Sequence, residues 1–271
     1  MGIVNVTPDS FSDGGQFWSS DRAFDPARAI AHAQQLIAEG ADILDIGGES
    51  TRPGAAPVSV EEECARVLPV IDGLRQAGRP ISVDTRRPEV MRRAVAVGVD
   101  MLNDVNGFRD RDAFQVAVQS TCGLCVMHMQ GEPQTMQQAP AYNDVVAEVT
   151  GFLIAQRDAL VGRGVDPQRI LLDPGFGFGK TLEHNLALMR ALGPLSARQP
   201  VLVGVSRKRM IGSLMEGLAA VPTSEPAQRV SGSVAAALWA AAQGAQVLRV
   251  HDVGATVQAL SVWSGLSTPD V

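Results

Sequence analysis

A cationic segment, Ser206–Arg209, follows the short apolar run Val201–Val205 and contains two arginines and one lysine. In the last apolar run of the chain, strand alternation would put Arg249 and His251 on one face. Cations gathered in this way suit an anionic ligand such as a phosphate, whose oxygens accept charge-assisted hydrogen bonds. The competing interpretation is a solvated basic turn, which is the usual role of such a run. The position of Ser206–Arg209 directly after a predicted strand favours the binding of an anionic ligand.

The segment Asp173–Thr181 combines an acid, three glycines and a lysine. A phosphate-binding P-loop needs glycine five residues before the Gly-Lys pair, and this chain has Pro174 there. The dinucleotide fingerprint also fails, because Lys180 stands where the last glycine should be. A tight strand-to-helix turn and a ligand-binding loop both fit the segment. Asp173 favours the second, since it ends an apolar strand.

Eight short apolar runs alternate with helical patterns, which is typical of βαβ units and a parallel sheet. The predicted strands are Ile3–Val6, Ile43–Ile46, Ile81–Asp84, Met101–Asp104, Leu124–Met127, Ile170–Asp173, Val201–Val205 and Val247–Val250. The predicted helices include Pro26–Glu39, Val60–Gln76, Pro88–Val97, Asn143–Gly162, Leu182–Leu192 and Pro226–Gln243.

Polar residues at the strand ends distinguish two architectures. In a doubly wound open sheet, only the strand ends at the switch point meet the ligand. In a (β/α)8 barrel, or TIM barrel, all eight carboxyl ends converge on one mouth, and about 250 residues is typical. We therefore expect a single α/β domain over 1–271, a (β/α)8 barrel whose mouth carries Asn5, Asp45, Asp84, Asn103, His128, Asp173, Ser206 and His251.

Composition excludes several classes of protein. Of 271 residues, 45% are hydrophobic, which suits a large core rather than a disordered chain. The longest apolar run, Val234–Ala242, has nine residues, too few for a membrane helix, and we expect neither a membrane anchor nor a signal peptide. A net charge of -6 argues against nucleic acid as a partner. We read Cys122 and Cys125 as core thiols rather than metal ligands, and three cysteines in all indicate the cytoplasm.

Eight motifs, each associated with a predicted strand, resemble those of the bacterial dihydropteroate synthase family of pterin-binding (β/α)8 enzymes. They are GIVNVTPDSFSDGG at 2–15, DIGGESTRPG at 45–54, SVDT at 82–85, NDV at 103–105, MHMQG at 127–131, DPGFGFGK at 173–180, SRK at 206–208 and RVHDV at 249–253. The resemblance implies a transferase of folate biosynthesis that joins 6-hydroxymethyl-7,8-dihydropterin diphosphate to 4-aminobenzoate and releases diphosphate. It also implies Mg²⁺ as cofactor, a homodimer and a target for sulfonamides.

The roles that the resemblance implies for the pterin agree with its chemistry. The amino-pyrimidinone edge presents adjacent N–H donors, which one carboxylate accepts together, and Asp173 matches that position. Asn103 and Asp84 complete ring recognition. Lys208 matches the lysine that contacts the pterin and borders the aminobenzoate pocket.

The resemblance assigns the diphosphate to Arg249 and His251, and a Mg²⁺ ion to Asn5. The implied reaction is a dissociative substitution at the exocyclic CH₂ of the pterin, in which Mg²⁺ and cations stabilise the departing diphosphate. It needs no covalent enzyme intermediate. The catalytic residues would be Asp84, Lys208, Arg249 and His251.

Long polar loops follow the first two predicted strands, and we expect them to act as lids rather than as ordinary surface loops. The resemblance places Thr51 and Arg52 on the second lid loop. It places Phe11, Pro53 and Ser206 in the aminobenzoate pocket.

Two other functions stay open. A methyltransferase that passes a methyl group from a folate to a corrinoid would share the pterin carboxylate, but it would not need Ser206–Lys208 or the first lid loop. A non-catalytic pterin-binding paralogue is opposed by the intact lid loops and by Asn5. The chain departs from the family pattern at its start, where the first strand begins almost at Met1 and puts the usual plug of the barrel bottom in doubt. It also departs at Arg86–Arg87, which we expect to be peripheral.

Overall fold

The fold is taken from a computed structural model, which describes residues 1–7, 24–50, 56–219 and 225–267. In these ranges the strands are β1 Gly2–Asn5, β2 Leu44–Gly47, β3 Ile81–Asp84, β4 Met101–Asp104, β5 Gly123–Met127, β6 Ile170–Asp173, β7 Leu202–Val203 and β8 Val247–Leu248. The helices are α1 Pro26–Ala38, α2 Val60–Leu74, α3 Pro88–Ala96, α4 Arg111–Gln119, α5 Val145–Val161, α6 Leu182–Arg190, α7 Leu192–Ser196, α8 Arg209–Ala219, α9 Val230–Ala242 and α10 Val253–Ser267.

The eight strands close into a ring. Strands β1 to β6 pair in parallel in chain order, and β7 pairs in parallel with β8. Bridges from Leu172 to Val201 and from Gly2 to Val250 join the two groups at both sides. The predicted (β/α)8 barrel is therefore confirmed, and the open sheet is wrong.

Alternation along the strands separates the helix-facing side from the barrel interior. Val4, Ile46 and Leu172 point outward and are fully buried in the main core under the helices. The lower interior is filled by a smaller apolar cluster contributed by several strands. Its members are Met101, Cys125 and Leu202, with Met1, Leu171 and Val247 packed against them. Two residues after Met101, Leu171 and Val247, the inward positions carry polar residues of the floor of the mouth: Asn103, Asp173 and Arg249.

Several helix boundaries follow the signals in the sequence. Pro26 and Pro88 begin α1 and α3, and Gly40 and Gly98 adopt positive φ angles just after these helices. The predicted helix Pro226–Gln243 is wrong in its first turn, where residues 226–229 form a separate 3-10 turn before α9.

Four further helices follow strands of the barrel, α4, α7, α8 and α10, and β7 and β8 are shorter than predicted. Within the described ranges, no helix has the length and apolar character needed to cross a membrane.

Candidate functional site

A cleft of about 760 Å³ opens at the carboxyl ends of the strands, and this volume suits a small-molecule ligand. It is lined by every described residue with a predicted role in binding or catalysis: Asn5, Asp84, Asn103, Asp173, Ser206, Lys208, Arg249 and His251. Asp45 and His128, which were also expected at the mouth, are buried and lie outside this lining. The other predicted site residues lie outside the described residues: Phe11, Thr51, Arg52 and Pro53.

Arg249 lies between two carboxylates at the centre of the floor. Its Nε is 2.5 Å from Oδ2 of Asp45, and its second terminal nitrogen, Nη2, is 2.8 Å from Oδ2 of Asp84. Burial raises the pKa of Asp84 to about 7, although the Arg249 charge opposes the rise. Burial alone would lower the pKa of Arg249, but Asp45 and Asp84 outweigh it and raise that pKa. The cation is thus fixed in place by two acids.

Asp45 also holds Asn103. The Asn103 side-chain nitrogen lies 3.2 Å from Oδ2 of Asp45. Among the described residues, the buried Oδ1 of Asn103 has no hydrogen-bond partner, so the cleft holds an acceptor ready for a donor from a ligand. Asp45 is fully buried, and its sequence position predicts only a strand-end acid. The position of Asp45 inside an otherwise apolar strand, next to Ile46, is the feature of the sequence that indicates a buried polar role.

Asp173 and Lys208 face each other across the adjoining part of the cleft. Oδ1 of Asp173 accepts the N–H of Gly175 at 2.7 Å, and burial raises the pKa of the carboxyl while Lys208 opposes the rise. The Lys208 ammonium donates to the carbonyl of Phe176 at 2.5 Å and lies 4.8 Å from the centre of the Phe178 ring. Burial lowers the pKa of Lys208 to about 8, with Asp173 opposing.

The glycine-rich segment after β6 packs directly on the loop after β5. Gly175 has a φ of +68°, and a Cβ there would lie 1.9 Å from the carbonyl oxygen of His128. Gly179 likewise leaves no room for a Cβ, which would lie 2.6 Å from the carbonyl oxygen of Gln130. These glycines bring the chain close enough for Lys180 to donate to the carbonyls of Gly175 and Phe178, each at 3.0 Å. The lysine of this segment therefore organises its own loop.

Side-chain contacts join the loops after β7 and β8. The ring Nδ1 of His251 is 3.0 Å from Oγ of Ser206. Both carboxylate oxygens of Asp252 bind the Arg207 guanidinium, at 2.9 and 2.5 Å. Arg207 has a φ of +57°, an unfavourable value for a residue with a side chain, so these contacts hold a strained turn that presents Lys208.

An apolar wall faces the polar floor. Val105, Met127, Met136 and Phe178 belong to one cluster, and all four line the cleft. Thioether and aromatic groups pack well against a flat ring. The sequence does not reveal a ligand-binding role for these residues, because apolar residues in or beside a strand indicate core packing first.

The donor set at the floor fits a hard cation beside a phosphate. Asn5, Gly47 and Asp84 are register partners on adjacent strands, and a Cβ on Gly47 would lie 3.7 Å from both Oδ1 of Asn5 and Oδ2 of Asp84. Mg²⁺ prefers such oxygens and usually completes its shell with water and substrate phosphate. Among the described residues, no group of three or more His, Cys, Asp or Glu gathers as a metal site.

Comparison with known proteins gives one consistent result. The family described as "Pterin binding enzyme" matches residues 1–251. The chain is 54% identical to the dihydropteroate synthase of Neisseria meningitidis serogroup B, over 98% of this chain and 92% of that protein. The Xanthomonas albilineans dihydropteroate synthase structure with 4-aminobenzoic acid has a TM-score of 0.88 and 51% identity, over 99% and 93% of the two chains. The Burkholderia cenocepacia enzyme complexed with 7,8-dihydropteroate has a TM-score of 0.84 and 47% identity, over 98% and 90%.

Proposed function

The chain belongs to the pterin-binding enzyme family, and on that premise we propose that it is a dihydropteroate synthase. It transfers the pterinylmethyl group of 6-hydroxymethyl-7,8-dihydropterin diphosphate to 4-aminobenzoate. The observation that carries the proposal is a single cleft in which Asp173 and Asn103 adjoin the cations Lys208 and Arg249. A flat heterocycle with an anionic leaving group needs both kinds of partner in one place.

The pterin binds with its N–H edge on Asp173 and its ring along the apolar wall. Asp173 accepts two donors, as a carboxylate does in any two-point contact, and the unpartnered Oδ1 of Asn103 accepts a third. A buried acceptor without a partner favours a ligand that supplies the donor. Water cannot enter between a flat ring and Met127 or Phe178, which strengthens the polar contacts beside them.

The diphosphate lies toward Arg249 and His251. Asn5 would hold the Mg²⁺ ion, which when bound neutralises charge on the diphosphate. Arg249 is oriented before substrate arrives, because Asp45 and Asp84 fix its guanidinium. A preorganised cation stabilises the departing diphosphate without reorganising during the reaction.

The reaction breaks the C–O bond between the pterin CH₂ and the diphosphate, and the bonding pair leaves with the diphosphate. The nitrogen of 4-aminobenzoate then forms the new C–N bond and releases one proton. Asp84 carries its charge near the electron-poor carbon, and Lys208 borders both rings. We place 4-aminobenzoate between Lys208, Ser206 and the loops that carry Phe11, Thr51, Arg52 and Pro53.

We also propose a homodimer formed through α9 and α10. Trp239, Val262 and Leu266 are large apolar side chains that are 50%, 64% and 84% exposed on these two helices. Apolar side chains of this size on adjoining helices suit burial against a second copy. Light scattering on the purified chain tests the dimer, and a monomer at micromolar concentration would contradict it.

Three buried free thiols support a cytoplasmic location. We treat 1–271 as one catalytic domain.

The function is tested by measuring diphosphate release from the pterin diphosphate with Mg²⁺, with and without 4-aminobenzoate. We expect release to require 4-aminobenzoate and to yield one dihydropteroate for each diphosphate. Tight pterin binding without any such product would favour the non-catalytic paralogue.

A further inference from the structure

A buried acid supports the loop after β2 from below. Glu63 lies in the first turn of α2 and is 0% exposed. A Cβ on Gly48 would meet Cγ of Glu63 at 3.0 Å and Cγ1 of Val67 at 2.7 Å, so the loop rests directly on this helix. Arg66, one turn further along α2, donates to the carbonyl of Gly48 at 2.9 Å. The loop after β2 is therefore held at its root by α2.

Glu63 connects to the cleft through alternating charges. Its Oε2 forms an ion pair with Nε of Arg87 at 3.1 Å, without the geometry of a hydrogen bond. Nη2 of Arg87 donates to Oε1 of Glu49 at 2.8 Å. The other oxygen of Glu49 accepts from Nε of Arg86 at 3.0 Å. Glu49 and its neighbour Ser50 line the cleft. We call Glu63, Arg87, Glu49 and Arg86 the acid–arginine chain.

The acid–arginine chain corrects an expectation. Arg86 and Arg87 were expected to be peripheral, but both bind Glu49 at the rim of the cleft. They follow Asp84 closely, so they join the end of β3 to the loop after β2. That loop continues into the segment expected to contact 4-aminobenzoate.

We propose that Glu63 is a positioning residue for the 4-aminobenzoate end of the cleft and acts through Arg87 on Glu49. The proposal rests on the proposed synthase function. An ionised Glu63 holds Arg87 by one nitrogen, which directs the remaining guanidinium group to Glu49. A neutral Glu63 attracts Arg87 less, so Glu49 loses a fixed partner and the loop after β2 loses its alignment with β3.

The charge on Glu63 changes near neutral pH. Burial raises the pKa of Glu63 to about 7, while Thr85 and Arg87 oppose the rise. Several charged groups face Glu63 or its partners. They lie on the loops after β2, β3 and β5, on α2 and at the end of β3: Glu49, Arg86, Arg87, Glu132, Glu62, Arg66 and Asp84. Lowering the pH from 8 to 6 should therefore weaken the hold on Arg87.

The test compares wild type with Glu63→Gln, which fixes the neutral state at nearly the same size. At pH 8 we expect the KM for 4-aminobenzoate to rise about five- to tenfold in the variant, the scale of one hydrogen bond of typical net strength. The KM for the pterin diphosphate and kcat should change little. Between pH 8 and pH 6 the ratio of the variant KM to the wild-type KM should fall toward one, because Asp84 and Lys208 titrate in both proteins and only Glu63 differs. Glu61→Gln is the matched control, because it removes the same charge from an exposed position of the same turn.

Two results would overturn the proposal. One is an unchanged KM for 4-aminobenzoate in Glu63→Gln, and the other is the same pH dependence of KM in wild type and variant. A folding defect is recognised by thermal unfolding, and Arg87→Met then serves as the second variant with the same expected rise in KM. An inactive wild type would contradict the synthase function itself, whereas an active wild type with an indifferent Glu63→Gln contradicts only the role of Glu63.

Discussion

The ammonium nitrogen of Lys180 lies 3.0 Å from the ring Nδ1 of His128, and both side chains are buried. A protonated lysine donates, so Nδ1 of His128 accepts and the ring proton is on Nε2. Because Lys180 also binds the carbonyls of Gly175 and Phe178, it joins the loop after β5 to the loop after β6. These two loops carry much of the pterin end of the cleft.

We expect Lys180→Met to loosen the pterin end of the cleft. The change leaves buried carbonyls without a donor, which costs on the order of 1–3 kcal/mol of unfolding free energy. Pterin affinity, measured by calorimetry, should fall about tenfold, which corresponds to the lower part of that same range. Arg198→Met is the control, since it removes an exposed cation. Equal stability and equal pterin affinity for Lys180→Met and the control would exclude this role.

His128 should make the protein less stable in acid. Burial lowers the pKa of His128 to about 3, and the Lys180 charge adds to the effect. The unfolded chain therefore binds a proton between pH 6.5 and 3 that the folded chain does not. The free energy of unfolding should fall with decreasing pH in that window, by up to about 1.4 kcal/mol per pH unit for this one group. Urea unfolding of wild type and His128→Asn at pH 5 and pH 7 measures the difference, and an equal pH dependence would show that His128 is not responsible.

Asp173→Asn should remove most of the affinity for pterin. An amide offers one acceptor and one donor where the pterin edge presents two donors. A buried donor that faces a donor costs on the order of 1–3 kcal/mol, or roughly five- to 150-fold in the dissociation constant. Calorimetry with the pterin diphosphate measures the loss. Unchanged binding would falsify the assignment of Asp173.

Arg249→Ala should affect the binding of the diphosphate group and not that of the pterin ring. The variant should bind the diphosphate substrate much more weakly, while affinity for the bare hydroxymethylpterin changes little. Asp45 loses a buried partner in this variant, so thermal unfolding is needed as a check. Equal losses for both ligands in a folded variant would contradict the diphosphate role.

The strands that the sequence predicted best are those where an apolar run ends sharply in an acid. The bounds of β3, β4 and β6 match the prediction, because Asp84, Asp104 and Asp173 end runs with no competing pattern. The sequence does not indicate that α8 starts at Arg209, because Arg209 belongs to the cationic segment Ser206–Arg209, a pattern typical of a loop. The sequence does not indicate that a 3-10 turn over 226–229 precedes α9. The side chain of Arg229, at the end of that turn, donates to the carbonyl of Arg207, and this contact depends on the fold.

The site was predictable in its members but not in its connections. Strand-end polar residues identify the cleft, since all carboxyl ends of a barrel meet at one mouth. The pairing of Arg249 with Asp45, and of Arg87 with both Glu49 and Glu63, depends on side-chain directions that strand order does not give. Glu63 in particular follows two exposed glutamates on α2 and shows no local sign of burial.

The partners of Arg249 are far away along the chain: Asp45 is 204 residues before it and Asp84 is 165 before it. A growing chain therefore carries both acids long before the ribosome has made the cation that neutralises them. The residues directly after β8 supply Arg249 and, through the bridge from Val250 to Gly2, also close the ring against β1, so we expect ring closure and charge neutralisation to occur together in folding. Recovery of activity after dilution from denaturant should consequently follow the arrival of the last strand, not the collapse of the apolar core.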